Sequence, residues 1–254
     1  MPLRTADLER VQALPLFAGV SDETFRAVTA GAFLQRFPAG TTLLMEGDMV
    51  DFLYVLLDGT VQLEGSWRDR ETVLAVLRPV STFILAAVVL DAEALMSAQT
   101  LERSDILMLS GEALRREMNT DARLAIAVAE ELSGCYLGVV RSLKNQKLRG
   151  GVERLASYLM AQRARQGGGD TVILPYEKRV VASLLGMTPE NLSRTWTMLA
   201  DYGAHVNGRE VTLARPAVIE RLAKPDPLMD NLADDARGQT VTALRRTGSR
   251  TRGD

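Results

Sequence analysis

The stretch Tyr176-Glu177-Lys178-Arg179-Val180-Val181-Ala182-Ser183-Leu184-Leu185-Gly186-Met187-Thr188-Pro189-Glu190-Asn191-Leu192-Ser193-Arg194-Thr195-Trp196-Thr197-Met198-Leu199 decides how the last third of this chain folds. Val180, Val181 and Leu184 mark the apolar face of a short helix over 176–185. Gly186 supplies a sharp turn, Thr188 is suited to cap, and Pro189 fits the first position of a second helix running to Asp201. Ala182, four residues before Gly186, lets the two helices approach closely, and Leu192, six after it, seats the second helix in a core. The pattern is a helix-turn-helix, whose second helix lies in the major groove of DNA.

On that second helix Leu192, Trp196 and Leu199 form the buried stripe, which leaves Glu190, Ser193, Arg194 and Thr197 together on the other side. Arginine can grip guanine through O6 and N7, glutamate can accept from the N4 amine of cytosine, and serine can serve either base. Each good contact is worth ~1–3 kcal/mol of discrimination. The same side chains also fit a solvated face with an i, i+4 Glu190–Arg194 pair worth ~0.2–0.5 kcal/mol. Charge bears on the choice. Residues 144–224 hold 13 Lys/Arg against 7 Asp/Glu, whereas 1–143 hold 12 against 20 and 225–254 hold five of each. A basic segment in an otherwise acidic chain points to a polyanion, unless the charge merely fluctuates along the sequence.

Downstream, Asn207-Gly208 is a type I′ turn signal between His205-Val206 and residues 211–213, predicting a two-stranded wing in which His205 is a strand residue. Arg209 at its tip, Lys178 and Arg179 at the front of the first helix, and Thr188 would sit near phosphates and fix register without reading bases. Upstream, Gly150-Gly151 marks a hinge. After it Val152, Leu155, Ala156, Leu159 and Met160 build an amphipathic helix ended by Gly167-Gly168-Gly169, which is a loop and not a phosphate cradle because no Lys-Ser/Thr follows.

Residues 119–148 contain no proline, and Ala125, Val128, Leu132, Cys135, Val139 and Ser142 recur at alternating threes and fours. The spacing predicts a dimerisation helix with Val128, Leu132, Cys135 and Val139 on its seam, although a helix packed on its own domain fits the same stripe. Cys135 reads there as a small hydrophobe. Residues 33–109 read as about seven short strands, with Asp58-Gly59 as a type I′ hairpin. Val61 and Leu63, alternating with Thr60, Gln62 and Glu64, predict a sheet with one wet face, as in a jelly roll or barrel. Ser21 is expected to cap a helix over 22–29, and the tail 225–254 is expected to be disordered.

One cysteine and one histidine in 254 residues cannot build a multi-thiolate zinc site or a Ser/His/Asp or Cys/His catalytic arrangement, so neither a metal site nor an enzyme is expected. The longest apolar run, 83–90, is too short for a membrane span, and the first ten residues lack a secretory signal, which together imply a cytoplasmic protein with no membrane partner.

Several motifs carry a resemblance. In the first half they are Leu14-Pro15-Leu16-Phe17, Phe37-Pro38-Ala39-Gly40-Thr41, Glu46-Gly47-Asp48, and Leu53-Tyr54 leading to Asp58-Gly59. In the second they are Leu174-Pro175 and the run from Thr188 to Arg194. With the order β-roll, long helix, winged helix-turn-helix, residues 8–224 resemble the cyclic AMP receptor protein/fumarate and nitrate reduction regulator superfamily of dimeric bacterial transcription factors. Glu190, Ser193 and Arg194 match the Glu-x-x-Ser-Arg pattern of the fumarate and nitrate reduction branch, while Pro189 stands where the cyclic AMP branch carries arginine. The resemblance implies an α+β chain with a cyclic-nucleotide-binding-like β-roll at 1–118, a dimerisation helix at 119–148 and a winged helix-turn-helix at 149–224. It also implies a palindromic DNA site with TTGAT-like half-sites, a homodimer, and RNA polymerase as a partner.

The chain departs from the family in its sensor. Cyclic-nucleotide binders hold the ribose with a Gly-Glu pair and the phosphate with Arg-Ser/Thr, because a buried phosphate needs a fixed cation and donors. Here the corresponding stretches are Phe83-Ile84-Leu85 and Met96-Ser97-Ala98, so cyclic AMP binding in the usual manner is not expected. One cysteine cannot hold the iron–sulfur cluster of the oxygen-sensing branch. No cofactor is predicted; haem is left open only through Cys135, a methionine or the N-terminal amine. Phe83, Leu85, Met96 and Ser97 line either a pocket for an apolar or planar effector or a filled core. The expected function is a homodimeric, sequence-specific transcription regulator in which a signal in the roll shifts the long helix pair and so the spacing of the recognition helices. A ligand-binding regulatory module that does not act on DNA is the alternative.

Overall fold

A computed structural model describes residues 4–230. Helices α1 (Thr5–Gln12) and α2 (Asp22–Thr29) flank a 3-10 turn at Pro15–Phe17. Ser21 caps α2 as its position predicts, accepting from Thr24 N at 3.1 Å. Two four-stranded antiparallel sheets follow. In spatial order, one holds β1 (Phe33–Phe37), β8 (Ser104–Ser110), β3 (Phe52–Asp58) and β6 (Ser81–Phe83). The other holds β2 (Thr42–Leu44), β7 (Ser97–Thr100), β4 (Val61–Trp67) and β5 (Arg70–Leu77). The pattern predicted about seven strands; β6, only three residues long, is too short to show alternation.

Three expectations are corrected in this domain. Asp58-Gly59 is not a hairpin, because β3 and β4 lie in different sheets. The chain turns a corner there with positive φ at Gly59 alone (+93°), not at both residues as type I′ requires. Nor do all the strands have a wet face. β3 and β8 are almost wholly buried, since α1, α2, α3 (Leu85–Leu90) and α4 (Gly111–Met118) lie against them while their other face joins a core drawn from both sheets. Finally, the long helix α5 spans Ala122–Leu148 rather than starting at Asn119. Asn119 closes α4, and the Asp121 carboxylate caps α5 by accepting from Arg123 N (2.8 Å) and Leu124 N (3.4 Å).

The predicted seam divides. Val128 is only 1% exposed and Leu132 half-buried, both packed into the core of their own β-roll, whereas Cys135 and Val139 (65% exposed) stand on the surface with Tyr136, Leu137 and Leu143. A heptad stripe cannot tell one core from two, and the first half of this one serves the chain's own domain.

The same junction carries a buried acid. Glu131 on α5 is 4% exposed; one carboxyl oxygen accepts from Thr82 Oγ1 (3.3 Å) and the other has no partner. Burial pushes this carboxyl from 4.5 up to about 7. The fold therefore prefers the neutral form: its contribution is complete below 4.5, declines as pH rises through 7, and is absent above. Glu131→Gln, neutral throughout, is expected to be more stable than wild type at pH 8, with a ceiling on the order of 3 kcal/mol, and nearly equal to it at pH 4.5. Thermal melts at the two pH values check this; parallel profiles would show that the acid is solvated.

The C-terminal part runs α6 (Gly151–Arg165), β9 (Thr171–Ile173), α7 (Lys178–Leu184), α8 (Pro189–Asp201), β10 (Ala204–Asn207), β11 (Glu210–Leu213) and α9 (Pro216–Ala223) around a core that includes Leu155, Leu159, Leu174, Trp196, Leu199 and Leu213. The wing is three-stranded, in the order β10-β11-β9, because residues 171–173 add an antiparallel strand. Its turn is centred on Gly208-Arg209 between paired Asn207 and Glu210. Only Gly208 has positive φ (+60°), the requirement of type II′ rather than I′.

The tail expectation is corrected for 225–230; residues 231–254 lie outside the described residues. The described part folds back on the joint between α5 and α6. Arg149, 6% exposed, donates to both oxygens of Asp230, to Lys224 O (2.8 Å), to Ser157 Oγ (3.3 Å) and to Asn145 Oδ1 (3.3 Å). Asp230 also accepts from Ser157 Oγ (2.9 Å) and Asp226 N (2.8 Å).

Candidate nucleic-acid interface

α8 starts where local chemistry predicts. Thr188 Oγ1 accepts from Asn191 N at 3.2 Å and Pro189 occupies the first helical position. Gly186, at φ +61°, makes the turn from α7. Leu192, Trp196 and Leu199 are buried, and Thr195 joins them by donating its hydroxyl to Asn191 O (2.8 Å), a backbone bond that lets a polar residue sit in the core.

The opposite face is open. Glu190, Ser193, Arg194 and Thr197 are all exposed on it. Hydrogen bonds from the Glu190 backbone N–H and the Thr188 hydroxyl, followed by the charge of Arg194, hold the Glu190 carboxyl below the ordinary glutamate range, so it stays ionised at neutral pH. Thr197 Oγ1 leans back to Ser193 O at 3.3 Å. Lys178 and Arg179, exposed in the first turn of α7, border the same groove as Ser193, Thr197 and His205, a depression of about 520 Å³. The depression thus presents two cations beside two hydroxyls, while Glu190 and Arg194 stand exposed on α8 outside its lining.

Arg209 is placed differently from the other expected phosphate contacts. Its guanidinium donates to Leu174 O (2.9 Å) and Pro175 O (2.7 Å), tying the wing to the segment that enters α7. Of the sensor residues, Phe83 and Leu85 are buried, Phe83 stacking on Tyr54 with centroids 5.1 Å apart. Met96 packs half-buried against the same core, and Ser97 Oγ accepts from Glu46 N (3.0 Å). Among the described residues no group of three or more His, Cys, Asp or Glu side chains could hold a metal ion, and no helix is long and apolar enough to cross a membrane.

Sequence reasoning missed the contact between α7 and the sensor. Val180 packs on Val73 and Val76 of β5, Ser183 Oγ meets Thr72 Oγ1 (3.2 Å) and accepts from Val73 N, and Arg78 donates to Tyr176 OH (3.0 Å) while lying over its ring. The available signal was a serine inside the apolar run from Val180 to Leu185.

The comparisons with known proteins agree with this architecture. Residues 34–121 match the cyclic nucleotide-binding domain and residues 153–222 the Crp-like helix-turn-helix domain, together more than half of the chain. The nitrogen fixation regulation protein FixK of Bradyrhizobium diazoefficiens is 39% identical over 77 residues, 28% of this chain and only 32% of that protein. The cyclic AMP receptor protein of Thermus thermophilus is 28% identical over 218 residues, 82% of this chain and 96% of the relative. The solved structure of FixK2 from Bradyrhizobium japonicum shares the fold, with a TM-score of 0.65 at 17% identity over 77% of this chain and 98% of that one. The chain belongs to the cyclic AMP receptor protein/fumarate and nitrate reduction regulator superfamily, whose members are DNA-binding transcription regulators and not enzymes.

Proposed function

We propose that this protein is a cytoplasmic, homodimeric transcription regulator that reads a palindromic site through Glu190, Ser193, Arg194 and Thr197, with Lys178, Arg179 and Thr188 placed for phosphates. The observation that carries the reading is the exposure of those four side chains on one face of a helix whose other face is fixed in the core by Leu192, Trp196 and Leu199. Dimerisation is supported by the exposed apolar side chains of the second half of α5, including Val139 and Leu143. A signal other than cyclic AMP, or none, is supported by the burial of apolar Phe83 and Leu85 where the family's ribose-binding acid would stand. RNA polymerase is the partner that the family suggests.

A gel-shift titration at fixed salt tests the reading. Wild type is expected to retard a palindromic TTGAT-type probe, and Arg194→Ala to lose ~1–3 kcal/mol per half-site while keeping its salt-sensitive binding to random duplex. Equal affinity of the two proteins for the two probes would remove Arg194 from base reading. A wild type that retards neither would favour a regulatory module that does not act on DNA.

A further inference from the structure

The depression between α7, α8 and the wing is lined by donors and by no acid. Lys178 and Arg179 border it on the α7 side, Ser193 and Thr197 on α8 bring hydroxyls, and His205 closes it from β10. No aspartate or glutamate among the described residues lines it. Trp196, only 6% exposed, lines it too, and its buried indole N–H donates to nothing among the described residues. His205 is the single histidine of the chain. Ala204 before it is buried and Val206 after it half-buried, so strand alternation turns His205 to the open side, opposite Thr212 of β11. The charged groups around it come from three elements. α7 offers its two cations, α8 adds no charge to the lining because Glu190, Arg194 and Asp201 stand outside it, and β11 places Glu210 on the same wing face, one pair along the ladder, opposite Asn207.

We propose that His205 is a further contact for the DNA backbone, completing with Lys178 and Arg179 a phosphate seat on the wing side of α8, and that it takes up a proton when DNA binds. The inference rests on the proposed DNA-binding function. Histidine is the side chain whose ordinary titration falls between pH 5 and 8, and its imidazolium donates from both ring nitrogens, the form from which a phosphate oxygen accepts most strongly. Linkage is reciprocal: a phosphate that favours the proton makes the proton favour the phosphate, so affinity rises as pH falls through that range. A contact to the backbone adds affinity and salt dependence but no base preference.

The test compares three full-length proteins: wild type, His205→Gln, which keeps a donor but no charge, and His205→Lys, which is charged throughout. Each is titrated over a salt series onto a random-sequence duplex and the palindromic probe at about pH 6 and about pH 8, which bracket the ordinary titration of histidine. In wild type the slope of log K against log salt is expected to be steeper by about 0.9 per chain at the lower pH, with higher affinity for both probes and an unchanged preference between them. His205→Gln is expected to keep the shallow slope at both pH values and His205→Lys the steep one. Glu131, which burial brings up to about 7, titrates in the same window but is present in all three proteins, so its effect is common to them. A slope change in wild type no larger than in His205→Gln overturns the role of His205 and leaves that of α8 standing. A His205→Lys protein no steeper in slope than His205→Gln at pH 8 also overturns it, because a fixed charge at that position would then meet no phosphate. A wild type that binds no duplex at either pH would overturn both the seat and the function on which it rests.

Discussion

Gly59→Ala is expected to destabilise the protein by about 2–5 kcal/mol, read from urea unfolding. Two independent costs add at this position. The backbone sits at φ +93°, where a Cβ costs ~1–2 kcal/mol. That Cβ would also lie 2.3 Å from Ser104 Oγ, 2.6 Å from Arg103 O and 2.7 Å from Ser104 Cα. Two of those atoms are backbone and cannot rotate away, so β8 or the corner must move, at a typical overpacking cost of ~1–3 kcal/mol. Moving Ser104 also disturbs Thr60 N, which donates to its hydroxyl (3.2 Å), and Glu102 O, which accepts from it (2.8 Å). Gly208→Ala separates the two costs. Its φ is likewise positive (+60°), but a Cβ there meets nothing within 4 Å, so only the backbone penalty is expected. Equal losses at the two glycines would mean that the corner yields freely.

Asp230→Ala is expected to cost about 3–5 kcal/mol, because it leaves an almost fully buried guanidinium without its carboxylate. Arg149 always carries its charge, and Lys224 O, Ser157 and Asn145 cannot neutralise it. The double variant Arg149→Met/Asp230→Leu removes charge and countercharge together and is expected to recover most of that loss. Urea titrations of both, completed by Arg149→Met alone, give the coupling energy. Additive losses would show that the two side chains do not depend on each other.

The helix-turn-helix was legible because its information is local. Thr188, Pro189 and the spacing of Leu192, Trp196 and Leu199 act within a few residues of one another, and so does Ser21 at the start of α2. The β-roll was legible as a class of fold but not in its joints. Asp58-Gly59 permits a tight turn, yet whether the chain continues in the same sheet depends on pairing with strands far along the sequence, such as β3 with β8. The clasp joins residues 81 apart and Ser183 reaches β5 across 110, both through polar atoms that leave no periodic mark. Val128 and Leu132 show the same limit: hydrophobic spacing records that a face is buried and not what buries it.

The contact of α7 with β5 bears on the mechanics of the signalling we propose. Were the reading unit hung only from the end of α5, it would swing like a pendulum, and news from the roll could reach it by no other road. With the Val73–Val76–Val180 strip and the Ser183 bonds it has a second bearing, on the β-roll itself, one helix away from α8. Any large rotation of that unit must peel this strip open, so in the function we propose the roll would act on the reader as a brake as well as a lever.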